Sequence, residues 1–278
     1  MTETQAYQAP FSVLISVYHG SSASQLQEAL TSVWDSQTIK PSEIVLVEDG
    51  PVSTELSQVI QTWSDRLGSQ WVSCRFFENK GLRHALNLGL KSCRYDLVAR
   101  MDGDDISVPK RFELQCQFMS MHPEIAALGG AVDEYDDTLT ELKHTKKMPL
   151  NHDELTEFAK YRSPLNHPTV MYRKPLILAL GGYPDIFPED YPLWIHMIQS
   201  QARLANLPDV LVKMRTDSML SERRSGWRLF KQEVTLYRHF KDIGFLSTGE
   251  FCKNVLIRAV LRLSPSWVRQ MMYLNFRG

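Results

Sequence analysis

Asp102, Asp104 and Asp105 put three carboxylates within four residues, at the end of the run Val98-Ala-Arg-Met-Asp-Gly-Asp-Asp105. Anions this close repel one another, so the cluster is costly unless a cation or water screens it. Oxygen donors at that density suit a hard divalent ion such as Mn2+ or Mg2+. The competing reading is a solvated acidic turn. A second acidic pair, Glu189 and Asp190, lies in Pro188-Glu-Asp-Tyr-Pro-Leu-Trp194. It stands at an expected helix start, where the helix dipole favours anions by about 0.3 to 1 kcal/mol. Asp49 ends the run Glu43 to Asp49 and is either a turn residue or an acid facing a ligand.

Strands and helices must bring these groups together. The apolar stretch Asp96 to Met101 reads as an inner strand whose carboxyl end delivers the cluster into a crevice, where open α/β sheets bind ligands. Phe11 to Val17 is a strongly apolar strand that leaves through Tyr18-His19-Gly20. Ser24 to Trp34 predicts a helix, with Ser24 and Gln27 as a capping box and Leu26, Ala29, Leu30, Val33 and Trp34 on one face. Glu43 to Val47 and Trp71 to Phe76 are further strands. Leu82, Ala85, Leu86, Gly89 and Leu90 recur at helical spacing just before the acid-bearing strand. This alternation predicts an α/β fold with a mostly parallel sheet flanked by helices. Asp49 and the Asp102 to Asp105 cluster would then share one rim.

Beyond the cluster, Pro109 suits the first turn of a helix carrying Phe112, Cys116 and Met119 on one face. Ala126 to Val132 is a strand and Asp133 to Lys147 a polar connection. Asn151 with Glu154 resembles a helix cap, and the irregular Ser163 to Pro168 feeds a strand from Thr169 to Tyr172.

Composition narrows the function classes. The 278 residues are 43% hydrophobic and 23% charged, with a formal net charge of -1, which predicts no nucleic-acid partner. Cys74, Cys93, Cys116 and Cys252 form no CxxC pair, so reduced, buried thiols in a cytoplasmic chain are expected. Met1 to Pro10 lacks the regions of a signal peptide, and no run reaches the ~18 apolar residues of a membrane span. No GxGxxG follows the first strand and no Walker phosphate loop is present.

After Met214-Arg215 the composition changes, which predicts a catalytic domain over 1–218 and a helical region over 219–278. Ser221 to Phe245 looks helical. Phe251 to Arg277 carries Lys253, Arg258, Arg262, Arg269 and Arg277 and no acid, interleaved with apolar residues. Such a tail either lies on an anionic membrane surface or packs on the main domain as a terminal helix pair.

Taken in order, four segments resemble the inverting family 2 glycosyltransferases of the GT-A fold, especially bacterial polysaccharide and O-antigen enzymes of the amylovoran type. They are Ser12-Val-Leu-Ile-Ser-Val-Tyr18; Ile44-Val-Leu-Val-Glu-Asp-Gly50; Asn79-Lys-Gly-Leu-Arg-His-Ala-Leu-Asn87 with Ala99-Arg-Met-Asp-Gly-Asp-Asp105; and Glu189-Asp-Tyr-Pro-Leu-Trp194. The likeness spans roughly residues 10 to 215 and is weakest in the C-terminal third.

The resemblance implies that Asp49 contacts the nucleotide base, with Tyr18 and Arg83 lining the same pocket. It implies Asp102 against the ribose, Asp104 on the metal that bridges the diphosphate, Asp190 as catalytic base and Glu189 beside it. The expected reaction moves a hexose, galactose or glucose, from a UDP-sugar to a polyprenyl-diphosphate-linked saccharide. The chemistry asks for both acid sets: a departing diphosphate is stabilised by a cation, and an attacking hydroxyl must give up its proton. His167 either touches the metal or substrate or is a satisfied structural histidine. Arg223 and Arg224 either bind phosphate or form a solvated helix face. Two features depart from the family pattern: the Gln-x-x-Arg-Trp motif of processive members is missing, and Pro192 fits the first helical turn only. The rival readings are a nucleotidyltransferase, which would carry a glycine-rich basic loop near the first strand, and a non-catalytic nucleotide-sugar-binding subunit.

Overall fold

The computed structural model describes residues 9–216 and 226–264. Its N-terminal half alternates strand and helix as the sequence patterning predicts: β1 (Phe11–Tyr18), α1 (Ala23–Trp34), β2 (Glu43–Asp49), α2 (Thr54–Leu67), β3 (Trp71–Arg75), α3 (Leu82–Ser92) and β4 (Leu97–Asp102). Then follow β5 (Ile106–Ser107), α4 (Arg111–Met121), β6 (Ile125–Tyr135), β7 (Leu142–Lys146), α5 (His152–Phe158), β8 (Met171–Arg173), α6 (Lys174–Ala179), α7 (Asp190–Gln199) and β9 (Arg203–Arg215). The helices α8 (Trp227–Asp242) and α9 (Thr248–Leu263) complete the described chain.

One sheet runs in the order β3-β2-β1-β4-β8-β6-β9-β5, with β7 paired to β6. The strands β3, β2, β1 and β4 are parallel, while β8 enters antiparallel between β4 and β6. The expected parallel sheet is therefore the N-terminal half of a mixed one. Successive residues of a strand point to opposite faces, and both faces are covered here. Val13, Ile15 and Val17 of β1 pack with α1, α2 and α4, whereas Leu14 packs with α3, α7 and α8. Helix α3 lies close on the sheet because Gly89 has no side chain: a Cβ there would fall 2.2 Å from Leu14 Cδ1.

Several local readings change. Ser22, not Ser24, caps α1, accepting from the Gln25 amide. Pro109 precedes its helix, for Lys110 is the cap residue, and the Pro109 carbonyl instead accepts from the Thr38 amide at 3.0 Å. The Asp133 to Lys147 connection is a β6–β7 hairpin with Asp133 opposite Thr145. Its alternating polar pattern reflects a strand with little burial rather than a loop. Helix α2 carries Leu56, Ile60, Trp63 and Leu67 at helical spacing, a signal left unread in the sequence. Asn151 caps α5 as expected. None of the four cysteines is in a disulfide, but only Cys93 and Cys116 are buried, and Cys252 is exposed on α9.

The C-terminal hairpin packs on the main body. Leu236, Tyr237 and Phe240 of α8 share a core with Leu193, Trp194 and Met197 of α7. Two basic residues of the tail turn inward: Arg258 donates to the Tyr161 carbonyl at 2.7 Å, and Arg262 pairs with Glu233 at 2.8 Å. Of the two arrangements open to this region, the described part adopts the packed helix pair. Arg269 and Arg277 lie outside the described residues, as do Arg223 and Arg224.

Candidate active site

The carboxyl ends of β2, β1 and β4 form one rim. Asp49 is in register with Tyr18, and Ser16 of β1 is in register with Asp102, so β1 separates the two acids rather than their strands being neighbours. Asp49 is buried, and both of its oxygens are engaged: Oδ1 accepts from the Lys80 amide at 2.7 Å and Oδ2 from the Gly81 amide at 2.9 Å. It thereby ties the end of β2 to the start of α3, and each oxygen keeps a further lone pair for a ligand. Gly50 makes this closure possible, with φ +87° and the Asn79 amide nitrogen 2.6 Å from where a Cβ would stand. Tyr18 is half-exposed beside this turn. Arg83, on the first turn of α3, pairs with Asp185 at 3.1 Å and so reaches the loop that leads to α7.

Beneath the cluster lies Arg100, 3% exposed in the middle of an apolar strand. Its Nη1 donates to Asp102 Oδ2, and Arg111 Nη2 donates to the Arg100 carbonyl at 2.7 Å. Burial works against the Arg100 charge, but the Asp102 carboxylate more than offsets it and holds the guanidinium firmly protonated. Arg111 fares differently, since burial and the neighbouring Arg100 charge push it down to about 9.

Asp105 is buried and Asp104 is exposed at the rim. The Arg215 amide donates to Asp105 Oδ1 at 2.9 Å, while the Arg215 side chain reaches the Asp104 carbonyl and Glu28. This arrangement holds the turn after β4 against the end of β9. Oxygens of Asp102, Asp104 and Asp105 lie within 4.8 Å of one another. Asp104 keeps its surface open at the rim, but the protein packed behind its carboxyl and then the Asp102 charge raise it; Asp105 is raised well above the ordinary range by burial, Asp102 and Asp104. A divalent cation fits this donor set, being three hard oxygens whose mutual repulsion it would remove.

Glu189 is the cap residue of α7 and Asp190 its first residue. Burial raises both carboxyls. Ser163 Oγ, 3.2 Å from Asp190 Oδ2, and the Arg100 charge act in the opposite sense on Asp190. Arg100 likewise favours ionised Glu189, Asp104 and Asp105. A single buried guanidinium thus acts on the acids that end β4 and on those that begin α7.

His167 belongs to the packing. Its Nε2 lies 3.1 Å from Tyr183 Oη, and its ring meets Tyr183 at a tilt and Trp194 edge-on. Burial and the Arg100 charge push it well below the usual histidine range, so it is neutral.

The family model for Glycosyl transferase family 2 matches residues 12–179, more than half of the chain. The chain belongs to glycosyl transferase family 2. Its relatives in the family include the amylovoran biosynthesis glycosyltransferase AmsE of Erwinia amylovora, 40% identical over 95% of this chain and 97% of the relative. They also include the UDP-Gal:α-D-GlcNAc-diphosphoundecaprenol β-1,3-galactosyltransferase of Escherichia coli, 34% identical over 95% of this chain and 94% of the relative. Among solved structures, a Pyrobaculum calidifontis mannosyltransferase in complex with GDP-Man and Mn2+ superposes with a TM-score of 0.65 at 18% identity, over 96% of this chain and 74% of that one. Residues 1–349 of S. aureus TarS with UDP-GlcNAc give 0.68 at 16%, over 96% of this chain and 79% of that one. At those identities the structural likeness speaks for the fold, which is the GT-A arrangement with C-terminal helices that the sequence led us to expect.

In this family 2 chain, the motif reading gives no role to three residues near the acids: Arg100, Arg215 and Ser163; Asp105 belongs to its oxygen-donor cluster, although the resemblance assigns only Asp104 to the metal. Only Arg100 carried a signal, as a lone cation inside an apolar strand two residues before an acid. Arg215 and Ser163 reach the site from 110 and 27 positions away, which spacing does not reveal.

Proposed function

We propose that the protein is an inverting hexosyltransferase of cell-surface polysaccharide synthesis, moving galactose or glucose from a UDP-sugar to a polyprenyl-diphosphate-linked saccharide. The observation that carries this reading is geometric: the oxygens of Asp102, Asp104 and Asp105 lie within 4.8 Å of one another at the end of β4, a set suited to a cation, while the separate acid Asp190 at the start of α7 is held by Ser163 and suits a proton. The names of the relatives support the substrates: the Escherichia coli relative uses UDP-Gal and a diphosphoundecaprenol-linked acceptor, and the Erwinia relative serves amylovoran synthesis.

In this reading Asp49, Tyr18 and Arg83 hold the nucleotide base end of the donor, and Asp102 meets the ribose. Asp104, with Asp102 and Asp105 beside it, holds Mn2+ or Mg2+, which when bound would act as a Lewis acid on the departing diphosphate. Ser163 donates to Asp190 Oδ2, and the ionised carboxylate takes the proton of the acceptor hydroxyl. Glu189 lies beside it toward the acceptor. A base facing the leaving group across the sugar enforces single displacement and inversion. With UDP-galactose, Mn2+ and a GlcNAc-diphospholipid acceptor, the product should be β-linked by the anomeric proton coupling in NMR. An α-linked product would overturn the inverting assignment. UDP-hexose binding without transfer or hydrolysis would favour the non-catalytic subunit.

The reading also puts the enzyme on the cytoplasmic face of a membrane. No helix among the described residues is long and apolar enough to cross one. Helix α9 nevertheless exposes Leu256, Ile257, Val260 and Leu263, and α8 exposes Trp227, Arg228, Lys231 and Arg238. This mixture suits an anionic interface better than the inward-turned Arg258 and Arg262 do. Leu256→Asp with Ile257→Asp should weaken sedimentation with phosphatidylglycerol vesicles about tenfold or more. Unchanged sedimentation would defeat the membrane assignment.

A further inference from the structure

We infer that Ser163 is a positioning residue for Asp190, and that the C-terminal helix hairpin holds the segment that carries it. The segment is residues 159–163, between α5 and the short 3-10 turn His167–Thr169. It has no regular structure of its own, yet three successive carbonyls are pinned by side chains from three helices. Tyr191 Oη of α7 donates to the Ala159 carbonyl at 2.6 Å. Asn254 Nδ2 of α9 donates to the Lys160 carbonyl at 2.9 Å, and Asn254 is 2% exposed. The Tyr161 carbonyl accepts from Tyr237 Oη of α8 at 2.8 Å and from Arg258 Nη2 of α9 at 2.7 Å. Arg258 also donates to Tyr237 Oη at 2.8 Å, which links the two helices at this contact. Outside, Lys160 pairs with Glu250 at the start of α9, at 3.2 Å.

Two residues past these carbonyls, Ser163 Oγ stands 3.2 Å from Asp190 Oδ2. The Leu165 carbonyl competes for the same hydrogen at 3.2 Å. An ionised carboxylate is the stronger acceptor, so the hydroxyl supports the form of Asp190 that can take a proton. The other ionisable groups around Asp190 are Arg100 on β4, Glu189 at the helix cap, and Tyr183 and Tyr191. Ser163 and Arg100 act toward ionisation, and burial acts against it. The hairpin thereby acquires a duty at the site. It fixes the backbone from which Ser163 reaches Asp190, without itself touching the reacting atoms.

The catalytic meaning of this inference rests on Asp190 being the base, but its geometry can be tested without turnover. In full-length protein with 13C-labelled aspartate carboxyls, the resonance lost in Asp190→Asn identifies Asp190, and its titration midpoint can be followed by NMR. Ser163→Ala should move that midpoint upward, and Ser163→Thr, which keeps the hydroxyl, should restore it. Asn254→Ala should move it the same way by less. In the transfer assay Ser163→Ala should lower kcat about tenfold with the donor KM unchanged. A wild-type midpoint in Ser163→Ala would overturn the positioning role. A wild-type midpoint in Asn254→Ala, with Ser163→Ala shifted, would overturn the part assigned to the hairpin. Turnover retained in Asp190→Asn would remove the base assignment while leaving the midpoint shift to be judged by itself.

Discussion

Asp190→Asn should lower kcat by about 10³-fold, the scale at which a positioned general base contributes to proton transfer, while donor affinity stays within about twofold. The amide keeps the size of the carboxyl and can still face Ser163, so the helix start is preserved. Stability should not fall. Burial raises the Asp190 carboxyl, which means that folding favours its neutral form and that the charge costs stability at neutral pH. An uncharged amide removes that cost, so a melting temperature equal to or above that of the wild type is expected. The activity profile has the opposite dependence. The base works only when ionised, so kcat should fall as pH drops through the raised value, and the acid limb should lie above the ordinary aspartate range. Wild-type turnover in the variant, or an acid limb at the usual aspartate position, would remove Asp190 from the role.

The fold and the candidate site were legible in the sequence to different extents, for physical reasons. A strand buried on both faces leaves a dense apolar run, so β1, β2 and β4 could be read with their ends, and those ends carry Tyr18, Asp49 and Asp102. Helix starts announce themselves through caps and acids, as at Asn151 and at Glu189-Asp190. The mixed second half of the sheet, where the antiparallel β8 enters, was harder to read. Met171–Arg173 is only three residues long, and its place between β4 and β6 depends on pairing with distant strands rather than on any local pattern. The C-terminal arginines show the same limit from the other side. Composition left Arg258 in a basic tail that either packs or lies on a membrane, and gave it no partner; long side chains can bury their stems and deliver the charge to one, here the Tyr161 carbonyl, 97 positions away. Asp49 shows how a motif can understate a residue, because its carboxylate also closes the turn into α3.

Asp104→Asn should abolish Mn2+-dependent donor binding and reduce transfer by about 10³-fold or more, yet leave the metal-free protein at least as stable as the wild type. The two halves of this expectation have one cause. Two unit charges 4.8 Å apart repel by about 1 kcal/mol in bulk water and about 3 kcal/mol at an effective dielectric of about 20. Asp104 is exposed at the rim, so the lower figure applies to it. The sign follows from its carboxyl being raised: the stability it contributes when protonated is lost as pH rises through that value, and at neutral pH the ionised cluster is a burden. Removing one charge should therefore raise the metal-free melting temperature by about 2 to 4 °C. A bound divalent ion reverses the balance in the wild type, because it binds the folded cluster and stabilises it by mass action. Thermal melts with and without millimolar Mn2+ would separate the two contributions, with a metal-dependent increase in the wild type and little or none in Asp104→Asn. A variant that kept the full Mn2+-induced increase and Mn2+-dependent UDP binding would show that the ion is held elsewhere. A large metal-free loss of stability would instead make Asp104 a structural residue of the turn.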